Sequence, residues 1–351
     1  MHTVGDLVPL FRREFLLCKV REGEIVALLT EPATRPEYVA AASGAAQTLG
    51  AHVFEVSVSA LGWDTPTPVK GMGASVPVLA QPSAVLDAVS ASLLRADLVV
   101  DLVPETIIHV DLRGALQKAG VRVLTIVESP DALERMFPPE GIKEAVLSLA
   151  ERVSRSTTLR VVSSAGTDLS YEMPGVMPVA QYGYADEPGR WDHWPSALVA
   201  AYPVDGTAQG TLRLTPGDIL YPFKRFVETD TTVRIKDGYV VDVSGGLDAF
   251  LIADYLASWN EPEVYATSHM GFGMLPRAQW SAMAFYEKTD ILGMDGRCVQ
   301  GNFLFSTGPN RFTGRHVEAH LDVPMHGCSV YLDDELVIDA GTPVAREFAL
   351  A

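Results

Sequence analysis

The fold is decided by the stretch EIVALLT (Glu24–Thr30) together with PEYVAAASGAAQTL (Pro36–Leu49) and HVFEVSV (His52–Val58). The first and third are short apolar runs typical of buried strands, and the second has the length and composition of a helix. The rhythm recurs, with predicted helices at Val85–Leu94 and His109–Ala119 and predicted strands at Ala96–Val103 and Val121–Val127. Strands that alternate with helices predict a parallel sheet covered by helices. We therefore expect an α/β domain over residues 1–155.

The texture of the sequence changes after Arg155. Short strand-like pieces, separated by Gly, Asp and Pro, occur at Leu159–Val162, Gly210–Leu214, Thr231–Ile235, Tyr239–Val243 and Cys328–Leu332. Lys236-Asp237-Gly238 between two alternating runs predicts a hairpin, and Phe250–Ser258 is typical of one helix. Residues 156–351 are therefore predicted to form a β-rich α+β domain.

Charge and motifs exclude several classes of function. The chain of 351 residues is 48% hydrophobic and carries 27 basic against 44 acidic side chains, a net charge of −17. An acidic chain without Lys/Arg runs is not expected to bind nucleic acid or anionic membranes. The loop at residues 31–36 after the first predicted strand lacks the glycines of a dinucleotide-binding turn, and no Walker pattern occurs.

The N-terminus and the cysteines predict a cytoplasmic protein. Charged residues interrupt the apolar positions of Met1–Val20, which predicts an amphipathic helix and not a secretion signal. No stretch reaches the roughly 20 apolar residues of a membrane span. Cys18, Cys298 and Cys328 are an odd, widely spaced set, which favours buried reduced thiols over a disulfide framework.

One short pattern indicates a metal site. His320 and Asp322 stand two residues apart in AHLDVP, and a lone histidine, His269, lies upstream in TSHMG. In an extended segment, residues two apart project to the same side and can bind one ion together. Two imidazoles and one carboxylate form the usual site for non-haem iron(II). H-x-D is also a common surface pattern, so on spacing alone an unrelated pair would be the better interpretation.

A polar and aromatic stretch indicates a small-molecule pocket. Residues 182–196, YGYADEPGRWDHWPS, combine hydrogen-bonding groups with rings that can enclose an aromatic ligand. The alternative is an elaborate turn packed on a domain interface.

These residues also carry a resemblance to a known family. Residues 182–196, SHMGFG at Ser268–Gly273, PRAQW at Pro276–Trp280, GNFLFSTGPN at Gly301–Asn310 and HLD at His320–Asp322 resemble 2,5-dihydroxypyridine 5,6-dioxygenases. The resemblance is strongest over residues 181–335. It implies a scaffold related to thermophilic metalloaminopeptidases and an iron(II) enzyme. The family's iron ligands fall on His269, His320 and Asp322, the set that spacing had indicated.

The resemblance implies roles for four further residues. The family's catalytic base falls on His109. His193, Ser306 and Glu187 match positions that approach the substrate. A helix or turn cap is the competing role for the Ser306 hydroxyl. His316 and His326, close to the predicted ligands in sequence, are interpreted as surface residues or supports of the site.

The implied activity is the opening of 2,5-dihydroxypyridine between C5 and C6 to N-formylmaleamate, with Fe(2+) and dioxygen, in nicotinate-type catabolism. The expected partners are a small hydroxylated pyridine, dioxygen and further copies of the chain in a homo-oligomer. The rival class is a two-metal aminopeptidase on the same scaffold, which would need bridging carboxylates. The sequence offers Gly and Phe272 where the resemblance suggests that those carboxylates would lie. A binding protein with a relict site is a third interpretation.

Overall fold

The computed structural model describes residues 3–58, 83–104, 106–108 and 110–350. In its first part, helices alternate with strands. The helices are α1 (Val4–Leu17), α2 (Pro36–Thr48), α3 (Ser83–Leu93), α4 (Asp111–Lys118), α5 (Pro130–Arg135) and α6 (Ile142–Arg155), and the strands are β1 (Ile25–Thr30), β2 (His52–Ser57), β3 (Leu98–Asp101) and β4 (Arg122–Thr125).

These strands form a parallel sheet in the order β2-β1-β3-β4. Consecutive residues of a strand point to opposite faces. In β1, Val26 and Leu28 pack with α1 and α2, whereas Ala27 and Leu29 pack with α3 and α4. Helices cover both faces of β1, β3 and β4, which explains why these strands are buried almost along their whole length, whereas the edge strand β2 is partly exposed. The predicted parallel α/β sheet is confirmed.

The second part is rich in strands. Its strands are β5 (Thr158–Ser163), β6 (Asp168–Glu172), β7 (Val179–Gln181), β8 (Trp191–His193), β9 (Leu198–Ala201), β10 (Gln209–Leu214), β11 (Ile219–Leu220), β12 (Arg225–Phe226), β13 (Thr231–Lys236), β14 (Tyr239–Gly245), β15 (Thr267–Gly273), β16 (Phe303–Thr307), β17 (Leu321–Met325), β18 (Cys328–Leu332), β19 (Glu335–Asp339) and β20 (Thr342–Pro343). The helices are α7 (Leu247–Ser258) and α8 (Met294–Cys298), with 3₁₀ turns at Pro262–Tyr265, Trp280–Ala284 and Arg346–Phe348. The predicted β-rich half is confirmed.

Two antiparallel sheets organise this half. One has the order β14-β13-β10-β6-β5-β18-β19-β20, and the other has the order β17-β16-β15-β9-β7. The predicted hairpin joins β13 to β14, and Asp237 and Gly238 both have positive φ, 51° and 79°. Two positive φ angles are the requirement of a two-residue type I′ turn. The second sheet carries the residues of the candidate site.

Elements from each side of the predicted boundary at residue 155 pack with the part on the other side. Strand β8 returns to the first sheet and pairs with β4, with Thr125 opposite His193. Conversely, α6 packs Val146 and Leu149 into the core of the strand-rich half. The boundary, which coincides with the end of α6, stays a prediction, and β8 brings His193 to the meeting point of the two parts.

The three cysteines are buried and free, in agreement with their interpretation as reduced thiols. In the ranges that the structure describes, no helix is long and apolar enough to cross a membrane.

Candidate metal centre

The three predicted metal ligands converge at one end of the second sheet. His269 lies in β15, Asp322 lies in β17, and His320 directly precedes β17. The two Nε2 atoms are 3.3 Å apart, and Oδ1 of Asp322 lies 3.4 Å from Nε2 of His269 and 3.1 Å from Nε2 of His320. Of the residues that the structure describes, these form the one group of three or more possible ligands placed to share an ion. The strand pairing brings together residues 51 positions apart in sequence.

The orientation of His320 and the low pKa of His269 both suit the binding of a cation. Nδ1 of His320 lies 3.0 Å from the carbonyl of Thr307, which can only accept, so Nδ1 donates there and Nε2 is left facing His269 and Asp322. Burial lowers the pKa of His269 to about 4, so this imidazole is neutral near pH 7. Oδ1 of Asp322 is buried without a hydrogen bond from the described residues. Two imidazoles and a carboxylate aimed at one point are a donor set that fits iron(II).

Ser306 supports the strand that carries His269. The pairing of β15 with β16 shifts register between Thr267 and Met270, which is a bulge around His269. Bulges re-aim side chains and leave backbone groups without ladder partners. The buried hydroxyl of Ser306 donates to the His269 carbonyl at 2.6 Å, and its side chain does not line the cavity in front of the ligands. The hydroxyl therefore fixes the orientation of a ligand.

Arg297 holds the other oxygen of Asp322, and sequence reasoning missed it. Nε of Arg297 donates to Oδ2 at 3.0 Å, and its Nη1 donates to the carbonyl of Leu292. The guanidinium lies 3.8 Å from the ring centre of Tyr221. Burial alone would raise the pKa of Asp322, but His320, Arg297 and His269 hold it well below its usual range. The carboxylate is thus ionised, with Oδ1 directed at the histidines. A single arginine in the apolar surroundings of residues 291–299 is the faint sequence signal for such a partner.

We expect Arg297→Gln to weaken iron binding by about 10–100-fold, the usual effect of removing a residue that orients a metal ligand. The reason is that Oδ2 of Asp322 loses its charged partner and the carboxylate can rotate. Anaerobic iron titration of the purified variant measures this. Arg160→Gln, which breaks a surface ion pair with Asp168, is the matched control and should bind iron as the wild type does. Unchanged affinity in Arg297→Gln would show that the ion pair does not orient the ligand.

A cavity of about 660 Å³ opens in front of the ligands. Its lining includes His193, Trp191, Tyr202 and both histidine ligands. The Trp191 ring lies against His193 at 4.9 Å and the Tyr202 ring against His269 at 5.6 Å, both edge to face. Burial, followed by the charges of nearby arginines, lowers the pKa of His193 to about 3, so this histidine is neutral. A neutral imidazole between aromatic walls can hydrogen-bond a small aromatic ligand.

The polar and aromatic stretch 182–196 divides between its two interpretations. Trp191 and His193 line the cavity, whereas Tyr182 donates a 2.6 Å hydrogen bond to Asp186 in a turn away from it. Glu187 is exposed and accepts from Lys143 at 2.7 Å, and it does not line the cavity. The sequence could not separate these roles, because both use the same residue types.

Three other histidines complete the predicted set. His109 lies outside the described residues, but its neighbours Ile108 and Val110 line the cavity. His316 is exposed and lines the same cavity. His326 instead pairs Nδ1 with Oδ1 of Asp218 at 2.7 Å, away from the cavity lining.

Comparison with known proteins identifies the family of this chain. The family model of 2,5-dihydroxypyridine 5,6-dioxygenase (NicX) matches residues 6–345. A 2,5-dihydroxypyridine 5,6-dioxygenase of Pseudomonas putida KT2440 is 40% identical over 347 residues, which are 98% of this chain and 97% of that protein. The solved structure of the dioxygenase from that strain superposes with a TM-score of 0.93 at 38% identity, with each chain covered completely. AmpT from Thermus thermophilus shares the fold alone, with a TM-score of 0.66 at 12% identity over 97% of this chain and 99% of that one. The chain therefore belongs to the 2,5-dihydroxypyridine 5,6-dioxygenase family.

Proposed function

We propose that this protein uses iron(II) and dioxygen to open 2,5-dihydroxypyridine between C5 and C6, giving N-formylmaleamate in nicotinate-type catabolism. The observation that carries the proposal is the convergence of two imidazoles and a carboxylate at the wall of an aromatic cavity. Both oxygen atoms of dioxygen enter the product: one completes a carboxylate at the former C5 and the other a formyl group at the former C6.

His269, His320 and Asp322 would hold the iron. Bound iron(II) would supply the redox chemistry that lets dioxygen react with an aromatic ring, and a three-residue site leaves positions for substrate and dioxygen. Ser306 and Arg297 would keep the ligands oriented through the His269 carbonyl and Oδ2 of Asp322.

The remaining residues act on the substrate. Trp191 and Tyr202 would enclose the pyridine ring and exclude water, while a ring nitrogen of His193 hydrogen-bonds a substrate oxygen. We assign the removal of the 5-hydroxyl proton to an imidazole nitrogen of His109, because the family resemblance puts the base there and its described neighbours line the cavity. An imidazole with an ordinary pKa near 6.5 can accept that proton at neutral pH. For Ser306 and Glu187, direct substrate contact stays a prediction, and their observed hydrogen bonds favour support of the site for Ser306 and a surface role for Glu187.

Two-metal peptide hydrolysis is the less supported alternative. It requires carboxylates that bridge a second ion, and within the described residues the triad has no such neighbour. Asp248 lies in the segment where the family resemblance suggested a bridging carboxylate. Its side chain instead accepts hydrogen bonds from the backbone N–H groups of Glu228 and Thr229. Phe272 is buried in the core. The net charge and the buried free cysteines support action in the cytoplasm, and a homo-oligomer stays a prediction.

The test of the proposed function is a comparison of two substrates. Iron-loaded enzyme should take up one dioxygen per 2,5-dihydroxypyridine, and it should not cleave 2-hydroxypyridine, which has no 5-hydroxyl to ionise. An oxygen electrode and the mass of the ring-opened product provide the measurement. Comparable turnover of 2-hydroxypyridine contradicts the proposed role of the 5-hydroxyl, and hydrolysis of a leucine anilide without oxygen uptake would favour the aminopeptidase.

A further inference from the structure

The cavity contains a buried cation for which the described residues provide no ion-pair partner. Arg113 in α4 is 9% exposed, and its guanidinium stacks on the Trp191 ring at 4.3 Å. Its Nε atom is buried without a hydrogen bond in the part of the chain that the structure describes. No carboxylate of that part lies within ion-pair distance of Arg113, which is unusual because a buried charge without a partner is costly.

Neighbouring charges accentuate this imbalance. Arg311 lines the same cavity and stacks on Phe312 at 4.9 Å, and no ion pair to a described carboxylate engages it. Burial, and then the charge of Arg311, lower the pKa of Arg113 to about 10, so it remains a cation at neutral pH.

The other two arginines of the cavity behave differently. Arg297 is paired with Asp322, and Arg315 is paired with Asp205 at 2.8 Å. Three acidic residues also belong to the lining, Asp111, Glu261 and Glu318, yet none reaches Arg113. Among the described arginines of the cavity, only Arg113 and Arg311 therefore have no ion-pair partner in the described part of the chain, which suits an anion that comes from solution.

We propose that Arg113, assisted by Arg311, forms a carboxylate subsite of this cavity. The proposal rests on the proposed function, because ring opening turns a substrate without a carboxylate into a product that has one. Planar guanidinium groups bind carboxylates through paired hydrogen bonds. Trp191 connects the subsite to the centre, since its ring contacts Arg113 and also His193. The carboxylate could belong to the ring-opened product or to an acid substituent on a pyridine substrate.

Direct binding measures the subsite without turnover. Maleamate, a stable analogue of the product, is titrated calorimetrically into anaerobic iron-loaded enzyme, with the uncharged maleamide as the matched ligand. We expect Arg113→Gln to weaken maleamate by about 10–100-fold, the size of a lost charge-assisted hydrogen bond, and to leave maleamide affinity unchanged. Arg113→Lys should recover part of the affinity, and Arg160→Gln should bind both ligands as the wild type does.

The outcomes decide whether the subsite exists and which molecule supplies the carboxylate. Equal maleamate affinity in wild type and Arg113→Gln, or equal losses for both ligands, overturns the subsite. Arg113-dependent binding of maleamate, without turnover of a carboxylated 2,5-dihydroxypyridine, supports the product as the source. Turnover of that carboxylated ring by the wild type, lost in Arg113→Gln, supports the substrate as the source. If maleamate binds through Arg113 but 2,5-dihydroxypyridine is not opened, the proposed function fails while the subsite stands.

Discussion

Alanine in place of His269 or His320, or asparagine in place of Asp322, is expected to abolish iron retention and turnover while the chain stays folded. The three groups converge within 3.4 Å of one another. Each alanine removes an imidazole donor, and asparagine replaces the carboxylate by a neutral amide whose single oxygen stays with Arg297. Two remaining ligands cannot fix the coordination that a three-residue iron site provides. Asparagine is preferred at position 322 because alanine would leave the buried Arg297 without an acceptor. Breaking a buried pair in that way costs about 3–5 kcal/mol and would confuse loss of metal with loss of fold.

Iron per chain after anaerobic loading, oxygen uptake and thermal unfolding together measure the effect. His52→Ala is the matched control, since His52 is exposed in β2 of the first sheet, and it should retain iron and activity. Full iron occupancy with turnover in any one triad variant removes that residue from the set of ligands.

Local patterns in the sequence sufficed for much of the fold. The apolar runs of β1, β3 and β4 predict buried parallel strands, because helices cover both faces of the sheet. Asp237-Gly238 predicts a tight hairpin for an equally local reason. Strand β8 could not be foreseen, since Trp191–His193 is three residues long and pairs with β4 only through contacts far along the chain. No periodicity marks so short a strand.

In the candidate site, too, some residues follow from a local sequence pattern and others depend on long-range contacts. His320 and Asp322 follow from alternation in one extended segment, whereas His269 joins them only because β16 lies between β15 and β17 in the sheet. The family resemblance supplied that long-range information. It did not indicate Arg297 or Arg113. Arg297 stands out because it pairs with Asp322 in the fold, and Arg113 stands out because its Nε atom has no hydrogen bond among the described residues. For Ser306, residue type left a substrate contact and a structural cap open, and the hydrogen bond to the His269 carbonyl favours support of the ligand.

The assignment of the base to His109, which is a proposal, leads to the second large effect. His109→Ala is expected to keep its iron yet lose about 10²–10⁴-fold in turnover, the usual contribution of general-base catalysis. His193 is a poor substitute, because burial lowers its pKa to about 3 and it rarely accepts a proton at neutral pH. Raising the pH should partly rescue the variant. As the solution approaches the pKa of the substrate's own 5-hydroxyl, ionised substrate becomes available and the missing base matters less.

The experiment compares pH profiles of turnover for His109→Ala and the wild type, with iron content measured on the same samples. His326→Gln is the control, since His326 bonds Asp218 away from the cavity lining and its loss should leave the profile unchanged. A His109→Ala variant that loses iron would make His109 a ligand or a support of the metal site. Wild-type rates at every pH would mean that another group is the base. His193 would then be the next candidate, although its pKa is low. A low rate that rises with pH while iron stays bound would show that His109 is the base, and neither a support of the metal site nor a residue without a role. In that case only the supply of ionised substrate limits the reaction.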